Sequence, residues 1–88
     1  MNRNVKVSVV IPLFNAEKFV KSTLECILNQ TYKDIEVIVI DDGSTDSSLS
    51  IVEKFRDNRL KILKNKKNQG IAYTRNRAIS VASGEYIA

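Results

Sequence analysis

The sequence contains no histidine and only one cysteine, Cys26, in 88 residues. Zinc sites built on histidine and cysteine are thereby excluded, and no internal disulfide can form. Cys26 falls among apolar residues of an expected helix and reads as a small buried hydrophobe rather than a nucleophile. The lack of a disulfide fits a reducing compartment. No apolar run is long enough to span a bilayer. Val7–Phe14 is interrupted by Ser8 and Pro12, and no small-residue cleavage site follows it. The expected location is the cytoplasm, the inner face of the membrane included. Internal repeats, linkers and low-complexity stretches are also missing.

Hydrophobic residues make up 43% of the chain, too many for a disordered one. A domain of this size buries about 60–65% of its unfolded surface, so it has one small core. The net charge is +4, and nine of the fourteen basic residues lie between Lys54 and Arg77. Such a cluster can attract an anion. Lys61, Lys64, Lys66 and Lys67 fit better as a solvated loop and strand edge, where lysine opposes edge pairing. No aromatic residue interleaves with them as a base-stacking surface requires, so nucleic acid is not an expected partner.

Val5–Ile11 is rich in β-branched residues and reads as a strand ended by Pro12. Asn15 can cap the helix that follows, in which Val20, Leu24, Ile27 and Leu28 recur at helical spacing. Ile35–Ile40 is an almost unbroken apolar run, as in a central parallel strand covered on both faces. Ser44, Thr45 and Asp46 offer capping oxygens for a second helix with Leu49, Val52 and Phe55 inward, and Asp57-Asn58 ends it. Leu60–Leu63 is a short third strand. A third helix starts at Ile71, with Arg75, Ala78, Ile79 and Ala82 on one face and Gly84 as a left-handed stop. Glu85–Ala88 begins a fourth strand. The alternation implies an α/β, Rossmann-like, mostly parallel sheet with flanking helices. A parallel sheet needs more chain to cover its last strand. Residues 1–88 are therefore expected to be an incomplete piece of a larger domain, with exposed apolar surface that favours self-association.

Ligands of open α/β sheets bind outside the carboxyl ends of the strands. Three loops meet there: Pro12–Glu17, Asp41–Asp46 and Asn65–Gly70. Adjacent carboxylates at Asp41 and Asp42 repel each other and call for compensation by a metal ion, ligand hydroxyls, a base N–H or an arginine. The bland alternative is that both cap the turn and the next helix. Arg75, near its helix start and on the inward face, is expected to pair with Asp41 or Asp42. Arg77 is expected to be solvated.

Val9-Val10-Ile11-Pro12-Leu13-Phe14-Asn15, Val39-Ile40-Asp41-Asp42-Gly43-Ser44-Thr45-Asp46, and Asn68-Gln69-Gly70 with Arg75-Asn76 together resemble the family 2 glycosyltransferases, which have the GT-A fold. Gln30-Thr31-Tyr32 and Gly84-Glu85-Tyr86-Ile87 fit the same pattern. The resemblance runs from about Lys6 to the last residue. It implies that residues 1–88 are the amino-terminal, nucleotide-sugar-binding part of such an enzyme, cut before its metal motif. It further implies that Pro12, Phe14 and Asn15 line the base pocket and that Glu17 is a recurrent acidic position beside it. Asp41 and Asp42 would bind ribose and base, and Gly70 and Arg75 would close over the nucleotide. Phe14 stands where many relatives have tyrosine, which keeps stacking and loses a phenolic hydrogen bond.

The implied reaction moves a sugar from a nucleotide diphosphate to an acceptor hydroxyl with inversion, as in polysaccharide biosynthesis. The first donor to consider is a uridine-diphosphate sugar, and the acceptor a glycan or lipid-linked sugar. A divalent cation, Mg or Mn, is implied for the full-length enzyme, with ligands outside this chain, as is the catalytic base. The 88 residues alone are then expected to be inactive. A non-catalytic nucleotide-binding or interaction module is the alternative. A phospho-acceptor receiver fails because its acidic pair follows the first strand, whereas this pair follows the second.

Overall fold

The computed structural model describes residues 7–30, 34–84, 86 and 87. Runs of β-branched residues form the sheet: β1 (Val7–Leu13), β2 (Ile35–Asp41), β3 (Leu60–Lys64) and β4 (Tyr86–Ile87). Between them lie α1 (Val20–Leu28), α2 (Ser48–Glu53) and α3 (Ile71–Val81). The strand order is β3-β2-β1-β4 and every neighbouring pair is parallel. The α/β fold expected from the alternation is therefore present. The order reverses between β1 and β4, which puts a topological switch point at the carboxyl end of β1.

The sheet is covered on both faces. Leu13, Val20, Leu24, Ile35, Val37, Val39 and Val52 form the core on one side. Val10, Ile38, Ile40 and Ala78 of α3 form the core on the other. All seven residues of β2 are buried, as its unbroken apolar run requires of a central strand. β3 is an edge strand, and its exposed Lys61 and Lys64 oppose pairing with another sheet.

Several local expectations need correction. β1 does not stop at Ile11: it continues through Pro12 to Leu13, while Val5 and Lys6 lie outside the described residues. Leu13 accepts a bond from the Asp42 amide at 2.8 Å, so Leu13 faces β2 and the Pro12 nitrogen faces away. On that side the described pairs with β4 are Val7 with Tyr86 and Ser8 with Ile87. β3 extends one residue further than expected, to Lys64, and α2 ends at Glu53 before the Asp57-Asn58 stop. Cys26 is exposed rather than buried, because the inner face of α1 is carried by Val20 and Leu24. Of the expected fourth strand, Glu85 and Ala88 lie outside the described residues.

The inner face of α3 is also rotated from the expected one. Thr74 and Ala78 are buried, Ile71 is 74% exposed, and Arg75 and Ile79 are exposed. Gly84 does not have positive φ and does not stop α3 in a left-handed turn; the cap is Ala82 in extended conformation. Gly84 is instead required by close approach, since a Cβ there would lie 2.6 Å from Ser8 Oγ and 2.7 Å from Ser8 N.

That approach belongs to a polar cluster at the amino end of the sheet. Glu36 is buried in β2. Its Oε2 accepts from Ser8 Oγ, Ser83 N and Ser83 Oγ, and its Oε1 accepts from Lys61 Nζ at 2.8 Å. The Gly84 amide donates to Ser8 Oγ at 2.8 Å. One carboxylate thus ties β1, β3 and the segment after α3 to the central strand. Burial alone would raise its pKa, but the bonds from Lys61, Ser8 and Ser83 outweigh burial and lower it from 4.5 to about 2.

Candidate functional site

At the carboxyl ends of β1 and β2 two loops are joined by reciprocal hydrogen bonds. The Asn15 amide donates to Ser44 Oγ at 3.0 Å, and the Thr45 amide donates to Asn15 Oδ1 at 2.8 Å. The Ala16 amide donates to Ser48 Oγ at 2.8 Å. Glu17 N donates to Asp46 Oδ2 at 3.2 Å, and Ser47 N donates to Glu17 Oε1 at 3.0 Å. Asn15 therefore does not cap α1, whose cap is Phe19 without a side-chain bond. It holds the second loop instead, at a φ of +49° that asparagine tolerates. Asp46 supplies the expected capping oxygen, its Oδ1 accepting from Ser48 N at 2.9 Å. Burial would raise its pKa, but the bonds to Ser48 and Glu17 lower it.

The two aspartates do not face each other. Successive strand residues point to opposite faces, so Asp41 continues the row of Val37 and Val39, and Asp42 turns toward α3. Asp41 Oδ2 accepts from the Ser44 amide at 3.1 Å, while its buried Oδ1 has no partner among the described residues. Asp42 is held by protein donors. Oδ1 accepts from Asn65 Nδ2 at 2.8 Å and from the Gln69 amide at 2.7 Å. Oδ2 accepts from the Gly70 amide at 3.0 Å. Burial would raise the Asp42 pKa, but the bonds from Asn65, Gln69, Thr74 and Gly70 hold it below its ordinary value. The start of α3, with its unpaired N–H groups, adds a favourable field for the carboxylate.

The compensation expected from an arginine is thus supplied by an asparagine and backbone amides. Arg75 is exposed and makes none of the bonds to Asp41 or Asp42, because α3 turns Thr74 inward in its place. Arg77, expected to be solvated, donates to Lys64 O and Asn65 Oδ1, each at 2.8 Å. Sequence reasoning named the Asn65–Gly70 loop but not Asn65 itself. The available signal was a polar side chain directly after β3, at the ligand-binding end of the sheet.

Pro12, Leu13, Phe14, Asp42, Asn68, Gly70, Ile71 and Thr74 line one cleft of about 320 Å³. Four of the eight expected residues, Pro12, Phe14, Asp42 and Gly70, therefore meet there. Asn15 and Glu17 lie in an adjoining hollow with Asp46, and Asp41 and Arg75 are not part of the cleft. A larger cavity, about 560 Å³, opens at the other end of the sheet among Val7, Val9, Cys26 and Ile27. It holds none of the strand-end residues. Among the described residues no three His, Cys, Asp or Glu side chains come together to hold a metal ion. The pair Asp41 and Asp42, pointing apart, does not fit a divalent cation. No helix among the described residues is long and apolar enough to cross a membrane.

Gly43 fixes the spacing between the Asp42 turn and the third loop. Its φ is +75°, and a Cβ there would lie 2.7 Å from Asn68 N and 2.9 Å from the Lys67 carbonyl carbon. Gly70, at φ +94°, has open space around it. Gly43→Ala is expected to cost about 2–3 kcal/mol in urea unfolding, and Gly70→Ala about 1 kcal/mol, because the first adds a backbone clash to the same kind of strain. Equal costs would contradict the close approach.

Residues 8–88 match the model of the family described as glycosyl transferase family 2. The chain is 47% identical over 83 residues to glycosyltransferase GlyG of Streptococcus pneumoniae, covering 92% of this chain and 28% of GlyG. It is 43% identical over 82 residues to the UDP-Glc:alpha-D-GlcNAc-diphosphoundecaprenol beta-1,3-glucosyltransferase WfaP of Escherichia coli, covering 93% of this chain and 33% of WfaP. Among solved structures, S. aureus TarS in complex with UDP superposes with a TM-score of 0.84 at 39% identity, over 93% of this chain and 25% of that one. The mannosyltransferase PcManGT of Pyrobaculum calidifontis, in complex with GDP-Man and Mn2+, gives 0.85 at 30% identity, over 96% and 26%. The chain thus spans about a quarter to a third of the length of these relatives. Its parallel sheet, its strand-end loops and its match to the family model agree, and the chain belongs to glycosyl transferase family 2.

Proposed function

We propose that residues 1–88 form the donor-nucleotide-binding part of a transferase that moves a sugar from a nucleotide diphosphate to an acceptor hydroxyl, with inversion. The observation that carries this reading is the single cleft at the switch point that joins an apolar wall, Pro12 and Phe14, to the Asp42 carboxylate. A base lies on Phe14, whose ring is 50% exposed, and stacking is worth about 1–3 kcal/mol per base. Asp42 lines the cleft, and its Oδ2, which accepts from the Gly70 amide, is the oxygen proposed to meet a ring N–H. Uracil offers such an N–H, as guanine and thymine do, and cytosine lacks it at the equivalent position; the donor proposed among the first three is a uridine-diphosphate sugar. The UDP complex of TarS supports that choice. The name of WfaP supports a lipid-linked sugar as acceptor.

In this reading Asn15, Glu17 and Asp46 act on the nucleotide through loop geometry, by fixing the wall that carries Phe14. Asp41, buried and outside the cleft, holds the turn beneath the nucleotide through the Ser44 amide. Gly70 lets the third loop close toward the base, and Arg75, exposed on α3, meets the phosphates from solvent. The acid–base chemistry, the acceptor site and a divalent cation belong to residues other than those described. The complex of PcManGT with GDP-Man and Mn2+ supports the cation.

The bonds from Gln69 and Gly70 favour a second reading, in which Asp42 only anchors the third loop. Amide chemical-shift mapping tests the location first. Uridine diphosphate is expected to shift the signals of Leu13, Phe14, Asp42, Gly70 and Thr74. Shifts confined to Val7, Cys26 and Ile27 would place binding in the other cavity and overturn the proposal.

A further inference from the structure

Asp42 can discriminate between bases only if its carboxylate is held at one angle. An aspartate at a strand end rotates about its terminal torsion unless neighbours stop it. Here three donors stop it: the Gln69 and Gly70 amides and the side chain of Asn65, which is buried just after β3. Its two amide hydrogens go to Asp42 Oδ1 at 2.8 Å and Thr74 Oγ1 at 3.0 Å. Its carbonyl oxygen accepts from the Arg77 guanidinium at 2.8 Å. That set admits one orientation of the amide. A flipped Asn65 would turn its carbonyl to the carboxylate and its NH2 to the guanidinium, losing three bonds and gaining two repulsions. Thr74 is fully buried, so its hydroxyl also depends on the Asn65 amide. The four side chains come from the turn after β2, the end of β3 and the inner face of α3. They form a chain running from the surface at Arg77 to the cleft at Asp42.

We propose that Asn65 is a positioning residue for base selection: oriented by Arg77, it occupies Asp42 Oδ1 together with the Gln69 amide and so leaves Oδ2 as the acceptor that meets the ligand. The inference rests on the nucleotide-binding reading above. It assigns specificity to residues that do not themselves line the cleft, Asn65 and Arg77. An oxygen accepts about two donors, so without Asn65 the Oδ1 atom, still bonded to the Gln69 amide, would have one acceptor site free and one restraint fewer on the carboxylate angle. Losing the lock should therefore cost a ligand that needs the single N–H contact more than one that does not use it.

The test compares wild type, Asn65→Ala, Arg77→Met and Asp42→Ala by ligand-observed NMR with uridine and cytidine diphosphates, and by hydrogen exchange of the Gln69 and Gly70 amides. For Asn65→Ala the expected result is about tenfold weaker uridine diphosphate binding, the loss of one charge-assisted bond, with cytidine diphosphate changed less than about twofold. The Gln69 and Gly70 amides should exchange faster in the same variant. Arg77→Met, which keeps Asn65 and alters only a half-buried helix residue, should give a smaller shift in the same direction. Equal loss for both nucleotides in Asn65→Ala, or an unchanged ratio, overturns the proposal and leaves Asn65 as a purely structural link. Unchanged uridine diphosphate binding in Asp42→Ala overturns the underlying nucleotide reading instead, and with it the role given to Asn65, whatever the amide exchange shows.

Discussion

Replacing Glu36 by alanine is expected to lower the stability of the chain by about 3 kcal/mol. For a domain of this size that is a large share of a total of roughly 5–10 kcal/mol. The substitution removes four bonds at once and leaves the buried Ser8 hydroxyl without its acceptor, while the exposed Ser83 can turn to water. The Lys61 end costs little, because that side chain is 54% exposed and returns to water. Glu36→Gln keeps an acceptor and the shape, so about half the loss is expected. Urea unfolding measures both, and a loss below about 1 kcal/mol in the alanine variant would contradict the role given to this cluster.

The same carboxylate makes the fold sensitive to acid. Its pKa is 4.5 when unperturbed and about 2 in the folded chain. A group whose folded pKa is depressed contributes stability above its unfolded value and loses it as pH falls through the folded value. The contribution is therefore complete above about pH 5 and disappears between about pH 5 and pH 2. Discounted for the exposure of Lys61, it amounts to roughly 2–3 kcal/mol. Asp42 and Asp46, also depressed, act in the same direction. Glu36→Gln should flatten the pH dependence of unfolding over that window relative to wild type, and parallel curves would contradict the assignment.

The fold is readable from local signals, and so is the strand end at which the candidate cleft lies. The Ile35–Ile40 run reads as a central strand, and the alternation of strands with amphipathic helices implies a parallel sheet whose ligand end carries Asp41 and Asp42. What was not readable depends on partners distant in sequence. Glu36 looks like an interruption in an apolar run until Ser83, 47 positions away, closes on it. Ile71 and Ile79 have the side chains expected of an inner face, yet Thr74 takes that face because Asn65 satisfies its hydroxyl. That rotation carries Arg75 outward and brings Arg77 to the end of β3. Asn15 reads as a helix cap in the sequence, and only the position of Thr45 makes it a link between loops instead.

The central claim is that the cleft at the end of β1 and β2 binds a nucleotide through Asp42. Its carboxylate has two possible employments: the loop, through Gln69 and Gly70, and a ligand N–H at the remaining capacity of Oδ2. Asp42→Ala removes both and leaves the apolar wall of Pro12 and Phe14 in place. Losing a charged hydrogen-bond partner weakens binding by roughly ten- to a hundredfold. Thermal unfolding of the variant, run alongside, separates a damaged loop from a lost contact. The most direct measurement is the uridine diphosphate dissociation constant of wild type and Asp42→Ala, with cytidine and guanosine diphosphates as comparators. The account predicts a ten- to hundredfold weakening for uridine diphosphate and a smaller change for the other two. An unchanged constant for uridine diphosphate in a folded Asp42→Ala variant would contradict it and would reduce Asp42 to an anchor of the third loop.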